Sequence, residues 1–184
     1  MPYINQIKQK MSSHYKNKAI FFDRDGVINR LISRNDGFFS PRKFDDFYIY
    51  NDIKEAVDFL VNNNFLILIV SNQPDISRSK MKIDELNKMD NAMKSLFHID
   101  DIYYSFDSSI IDGGTKKPLP KMLFDAKEKW KINFSSSYFI GDSLVDKQCA
   151  ENASIPFIMI SRDHNKNLKS DIKIYNLNEI KNFI

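Results

Sequence analysis

Two aspartates separated by one residue, Asp23 and Asp25, follow the short apolar run Ala19-Ile20-Phe21-Phe22. Carboxylates this close repel unless a cation or a proton relieves them. Mg²⁺ does so with oxygen ligands and retained water. One carboxylate is then suited to attack phosphorus. The other is suited to give a proton to the leaving alcohol and later take one from water. The same Asp-Arg-Asp-Gly letters also fit a plain acidic turn. Asp142 and Asp146 follow a second apolar run, Tyr138-Phe139-Ile140, where Asp142 is placed to complete a metal site. Ser143-Leu144-Val145-Asp146 reads as a capping box, so Asp146 caps a helix, braces the metal site, or does both. Lys117 is suited to stabilise phosphoryl charge, although a lone loop lysine is more often simply solvated. Ser71 and the Asn72 backbone N–H are possible donors to phosphate oxygens, or part of an ordinary turn.

These groups need elements to hold them. Ala19–Phe22 is apolar on both faces, as in a central parallel strand covered by helices. Residues 27–50 carry turn formers and aromatics and predict a loop or small hairpin. Its Phe/Tyr cluster at 38–50 reads as packing. Asp52-Ile53-Lys54-Glu55 reads as a capping box opening a helix. Phe65–Val70 is the second strand, and Ile83–Phe97 a helix with Leu86, Met93, Leu96 and Phe97 on one face. Asp101–Ser105 is a third strand, followed by a polar loop over 106–117. Pro120 fits the first turn of a helix with Met122, Leu123, Ala126 and Trp130. Ser137–Ile140 is a strand, Leu144–Asn152 a helix, and Ile155–Ile160 and Ile172–Tyr175 are strands. Leu177–Phe183 is a last short helix. Strands alternating with helices predict an α/β fold with a mostly parallel sheet. Ligands of such a sheet bind at the carboxyl ends of its strands.

The chain has 184 residues, enough for one domain with its own core. The division expected is an N-terminal arm, 1–18, and a domain, 19–184. A formal charge of +3 is too small to make nucleic acid or a membrane the main partner. No apolar run is long enough to span a bilayer, and no leader is expected. A single cysteine, Cys149, forms no internal disulfide and suits a reducing, cytoplasmic compartment. It reads as a small core residue. His14, His98 and His164 are scattered, with no second His or Cys at ligand spacing.

The order of these groups carries more than any one of them. Asp-x-Asp-Gly-Val, Ser-Asn-Gln, Lys-Pro and Gly-Asp-x-x-x-Asp in that sequence resemble the haloacid dehalogenase-like phosphatases. Phe22–Asn29, Ser71-Asn72-Gln73 and Lys116-Lys117-Pro118-x-Pro120 more narrowly resemble the heptose 1,7-bisphosphate phosphatase and histidinol-phosphatase group. The resemblance implies a three-layer Rossmann-like fold with a minimal cap. It implies a Mg²⁺-dependent phosphatase acting on a small sugar phosphate through an aspartyl-phosphate, with histidinol phosphate or another small phosphomonoester as the alternative. A non-catalytic phosphate-binding module is the less favoured reading. The protein is expected as a monomer or weak oligomer.

The resemblance also implies roles. Asp23 would be the nucleophile and a metal ligand. Asp25 would be the general acid/base and a ligand through its backbone carbonyl. Asp142 would be the third ligand, with Asp146 behind it. Ser71 and Lys117 would hold the phosphoryl group. Asn29, Asn72, Gln73 and the Asn35-Asp36-Gly37-Phe38 turn would line the substrate pocket, Lys116 would replace a recognition arginine, and Arg78 stands where an arginine is expected. One departure is plain. The heptose enzymes usually carry a zinc loop of three Cys and one His before Lys-Pro, and Ser105–Thr115 has neither residue type. No zinc is expected.

Overall fold

The computed structural model describes residues 15–34 and 37–184. Asn35, and residues 1–14 of the expected arm, lie outside the described residues. Tyr15–Asn17 lie against the body of the domain: the backbone N–H groups of Lys16 and Asn17 donate to the carbonyl of Lys131. The first strand begins at Lys18.

Among the described residues, six strands form one parallel sheet. They are β1 (Lys18–Phe22), β4 (Phe65–Asn72), β5 (Asp101–Ser105), β6 (Tyr138–Gly141), β7 (Phe157–Ile160) and β8 (Lys173–Ile174). Their order is β5-β4-β1-β6-β7-β8, which places β1 between β4 and β6. A separate antiparallel hairpin, β2 (Ile32–Arg34) and β3 (Gly37–Phe39), fills the predicted loop region and is the small cap.

The period-2 strand pattern divides the core into two layers. Ile20, Phe22, Ile67 and Ile69 face one way and pack with Ile53, Val57 and Leu60 of helix α1 (Ile53–Asn62). Ala19, Phe21, Leu68 and Val70 face the other way. They meet Met122, Leu123 and Ala126 of α4 (Lys121–Trp130) and Cys149 and Ala150 of α5 (Leu144–Ala153). Each large apolar side chain so buried contributes about 1.5–3 kcal/mol relative to exposure. The strand that carries the aspartates is therefore held from both faces. Two further helices, α2 (Pro74–Ser77) and α3 (Ile83–Leu96), follow β4. No helix among the described residues is long and apolar enough to cross a membrane.

Several boundaries differ from the sequence reading. Asp52 does not cap α1 with its side chain. Its carboxylate instead accepts from Arg162 Nη2 at 3.0 Å and from the Leu177 N–H at 3.0 Å. Tertiary partners outcompete the local cap. The strand expected from Ile155 starts at Phe157, because Ser154 takes a left-handed conformation and the Ile155 N–H still donates to Ala150. The last helix is a 3-10 segment, Leu177–Asn182, opened by an Asn176–Glu179 capping box.

Candidate active site

Because β4, β1 and β6 are neighbours, their carboxyl ends bring Asp23, Ser71, Asn72 and Asp142 to one edge of the sheet. The Asp23 N–H donates to the Ile140 carbonyl at 2.9 Å, which continues the β1–β6 pairing to the first aspartate. The chain then turns through Gly26, whose φ of +90° lies in the region glycine favours. A Cβ on Gly26 would stand 1.9 Å from Asp142 Oδ2, so the backbone approaches that carboxylate as no other residue allows.

Lys117 comes from the loop before α4 and is almost wholly buried. Its Nζ lies 2.8 Å from Asp23 Oδ1 and 2.6 Å from Asp146 Oδ1, and donates to the Val70 carbonyl at 3.0 Å. Asn72 holds the lysine's backbone: its Oδ1 accepts from the Lys117 N–H at 2.9 Å and its Nδ2 donates to the Lys117 carbonyl at 3.2 Å. Burial lowers the affinity of Lys117 for its proton, but Asp146 and Asp23 more than offset this and raise its pKa above the ordinary lysine range. Lys117 is a fixed cation beside Asp23.

Asp146 has both oxygens engaged. Oδ1 meets Lys117, and Oδ2 accepts from the Ser143 hydroxyl at 2.5 Å within the capping box of α5. Asp146 thus caps α5 and holds Lys117 with the same carboxylate. Its carboxylate also offers an oxygen within 4.8 Å of oxygens on Asp23 and Asp142. Burial raises the pKa of Asp23 strongly; Lys117 opposes the shift, while Asp146 and Asp142 add to it. Burial likewise raises Asp142, against the pull of His164. Three crowded, buried carboxylates with hard oxygen donors fit Mg²⁺. No other group of three or more potential metal-ligating side chains occurs among the described residues.

Asp25 has a different environment. Burial would raise its pKa, but the Arg24 guanidinium and hydrogen bonds from Asn29 and Gln73 override this and hold it below the ordinary carboxylate range. Gln73 Nε2 donates to Asp25 Oδ2 at 2.7 Å and to Ser71 Oγ at 2.9 Å, and Asn29 Nδ2 donates to Asp25 Oδ1 at 3.0 Å.

A cavity of about 250 Å³ opens over these groups, lined by Asp23, Asp25, Ser71, Lys117 and Asp142 with Phe38 and Leu31 of the cap region. Asn72 also lines it. Asn29 and Gln73, expected in its wall, are buried and bonded to Asp25 instead. Gly37 pairs with Arg34 in the hairpin, and its neighbour Phe38 reaches the cavity. Lys116 and Arg78 converge on one atom: Lys116 Nζ and Arg78 Nη2 donate to the Ser108 carbonyl at 2.8 and 2.7 Å.

Two residues without a role in the sequence analysis, Arg24 and Asn165, and His164, read there as one of three scattered histidines, also meet the site. Arg24 is fully buried against Asp25. His164 Nε2 lies 2.5 Å from Asp142 Oδ2, and Asn165 Nδ2 donates to the Asp142 carbonyl at 2.6 Å. A lone histidine and asparagine 22 and 23 residues after Asp142 carry no local signal. Arg24 carries little signal either, since a charged letter between two aspartates reads as part of an acidic turn.

The loop after β5 closes without metal ligands. Asp107 Oδ2 accepts from the Thr115 N–H and hydroxyl at 2.8 and 2.9 Å, Thr115 Oγ1 also meets Ser105 Oγ, and the Gly114 N–H donates to Ile111. Oxygen donors alone do not suit a structural zinc, whose four ligands are Cys and His. Purified protein should therefore hold no stoichiometric zinc by elemental analysis. One tightly held zinc per chain would show that ligands from elsewhere reach this loop.

Residues 29–154 match the family model of the haloacid dehalogenase-like hydrolases. The chain belongs to this family. The hydrolase is 33% identical over 174 residues to a D-glycero-alpha-D-manno-heptose-1,7-bisphosphate 7-phosphatase of Campylobacter jejuni, covering 91% of this chain and 96% of that one. A D-glycero-beta-D-manno-heptose-1,7-bisphosphate 7-phosphatase of Helicobacter pylori is 27% identical over 175 residues, covering 91% and 97%. Among solved structures, a D,D-heptose 1,7-bisphosphate phosphatase from B. bronchiseptica, complexed with magnesium and phosphate, superposes with a TM-score of 0.76. It is 21% identical and covers 90% of this chain and 97% of that one. This haloacid dehalogenase-like hydrolase is a phosphatase with the predicted α/β fold.

Proposed function

We propose that this phosphatase removes one phosphate from a heptose bisphosphate-like sugar through an aspartyl-phosphate on Asp23. The observation that carries the chemistry is the convergence of Asp23, Asp25, Ser71, Lys117 and Asp142 on one cavity. The Asp23 carboxylate attacks phosphorus as the ester P–O bond breaks, and the leaving oxygen takes a proton from the protonated form of Asp25, which the incoming phosphoryl charge favours over the ionised form of the free site. Water then attacks the phosphorus, gives a proton back to Asp25, and releases phosphate and free Asp23. Lys117 and Ser71 hold the phosphoryl oxygens throughout, since phosphoryl transfer depends mainly on positioning and charge neutralisation. Asp23, Asp142 and the backbone carbonyl of Asp25 would hold Mg²⁺, which supplies further neutralisation of phosphoryl charge.

The substrate reading draws on the relatives' names and on two cations. Lys116 is the chain neighbour of Lys117, and Arg78 meets it at Ser108. Burial and the nearby Arg78 charge lower the pKa of Lys116. A pair of crowded cations suits a second anionic group on the same substrate. A panel of sugar mono- and bisphosphates, with and without Mg²⁺, tests this. The highest kcat/KM is expected for a heptose bisphosphate, and removal of divalent metal should stop turnover until Mg²⁺ alone is restored. Higher efficiency on histidinol phosphate would overturn the substrate reading. Lys116→Ala should narrow the preference for bisphosphate over monophosphate by roughly tenfold, the scale of one charge-assisted contact. Equal losses on both classes would remove Lys116 from recognition.

A further inference from the structure

Arg24 is the largest side chain fully withdrawn from solvent, at 0% exposure. A guanidinium is always charged, and replacing a buried ion pair with apolar groups is often neutral or stabilising. Stability alone is therefore a weak reason for an arginine in this place. Its geometry gives a better one. Nε lies 3.2 Å from Asp25 Oδ1, while Nη2 lies 3.0 Å from Oδ1 and 2.9 Å from Oδ2. The fork thus touches both oxygens of the carboxylate.

Arg24 is itself held. Its guanidinium carbon lies 5.7 Å from the Phe47 ring centroid and 6.0 Å from that of Tyr104. The Tyr104 hydroxyl donates to Asp90 on α3. The Arg24 carbonyl accepts from the Ile28 and Asn29 N–H groups at 2.8 and 3.2 Å, which pins the turn that follows. An anchored chain therefore runs from α3 through Tyr104 and Arg24 to Asp25.

We propose that Arg24 is a positioning residue that fixes the Asp25 carboxylate for proton transfer. The inference rests on the proposed proton-transfer role of Asp25. A group that gives and takes a proton passes through both forms in each turnover. When one oxygen carries the proton, the other keeps its contact with Nη2, so the carboxyl group stays in place. A lysine at this position offers a point charge and no fork.

The test separates alkyl from aryl leaving groups. An alkoxide leaves phosphorus poorly without a proton; a p-nitrophenolate leaves well without one. kcat/KM reports the steps up to leaving-group departure and excludes hydrolysis of the phosphoenzyme. Arg24→Met should lower kcat/KM for a sugar phosphate by about 10²–10⁴-fold, the span of general acid catalysis. For p-nitrophenyl phosphate the loss should be under about tenfold. Asp25→Asn should show the same selectivity, and the double variant should add little to it, as expected for residues that act as a unit. Equal losses on both substrates would make Arg24 merely structural and overturn the proposal. Should Arg24→Met fail to fold, Arg24→Lys decides: a selective alkyl loss supports positioning, and an unchanged alkyl-to-aryl ratio overturns it. If the wild-type protein hydrolyses neither ester, the proposed function fails, not the positioning. If Asp25→Asn alone shows no selectivity, the error lies in the role given to Asp25.

Discussion

Asp23→Asn should abolish turnover and leave a folded protein. An amide cannot form the acyl-phosphate, and loss of a covalent nucleophile costs on the order of 10⁶-fold in kcat where it has been dissected. The fold should not suffer. Burial, with Asp146 and Asp142 nearby, raises the pKa of Asp23 despite Lys117. In the metal-free protein the ionised form is thus the costly one. A carboxyl group raised in the folded state favours folding fully below its unfolded pKa, and that contribution is lost as pH rises through the folded value. Asn stands in for the protonated form at all pH. Thermal denaturation of metal-free protein should therefore find Asp23→Asn at least as stable as wild type at neutral pH. The two curves should meet as pH falls below the ordinary carboxylate range. Retention of substantial turnover by the variant would exclude Asp23 as nucleophile.

Lys117→Ala should have the second-largest effect, and on both stability and rate. It would leave the Asp23 and Asp146 carboxylates and the Val70 carbonyl without their shared donor. Breaking a buried pair by removing one partner costs about 3–5 kcal/mol. The raised pKa of Lys117 has the opposite sign of consequence to that of Asp23. Its stabilisation is present through neutral pH and is lost only as pH rises past the ordinary lysine range. Mg²⁺ should raise the melting temperature of the variant more than that of wild type, because a divalent cation on Asp23 and Asp142 offsets part of the charge lost beside Asp23. Turnover should fall for every substrate in the panel, since the transferred phosphoryl group is common to all. A variant with wild-type stability and a loss confined to one substrate would place Lys117 outside the phosphoryl site.

What could be read in advance was what chain order and period carry. The strands Ala19–Phe22 and Phe65–Val70 are apolar on both faces, so their place at the sheet centre follows from composition alone. The rule that ligands sit at the carboxyl ends of such strands then selects Asp23, Ser71 and Asp142. Gly141-Asp142-Ser143 with Asp146 three residues on announces its own cap. Side-chain direction carried no such signal. The family resemblance puts Asn29 and Gln73 in the pocket wall, yet the need of a buried carboxylate for donors turns them inward to Asp25. Asp52 looks like a helix cap and is claimed by Arg162, more than a hundred residues away in the chain. His164 meets Asp142 because the segment after β7 folds back over the turn at Gly26, a placement set by packing.

The central position of β1 also fixes a sequence of events. β1 pairs with β4 within the first 72 residues, but with β6 only after residue 138. In a chain made from its N-terminus, Asp23, Asp25, Ser71 and Asn72 are therefore all synthesised long before Asp142 and Asp146 leave the ribosome. The half of the centre that carries Asp23 precedes the half that carries Asp142 by more than a hundred residues of chain. Loop closure over more than a hundred residues is the slow kind of contact. Completion of the site thus waits for the pairing of β1 with β6, and a ligand that needs both halves reports on that pairing and not on the early fragment.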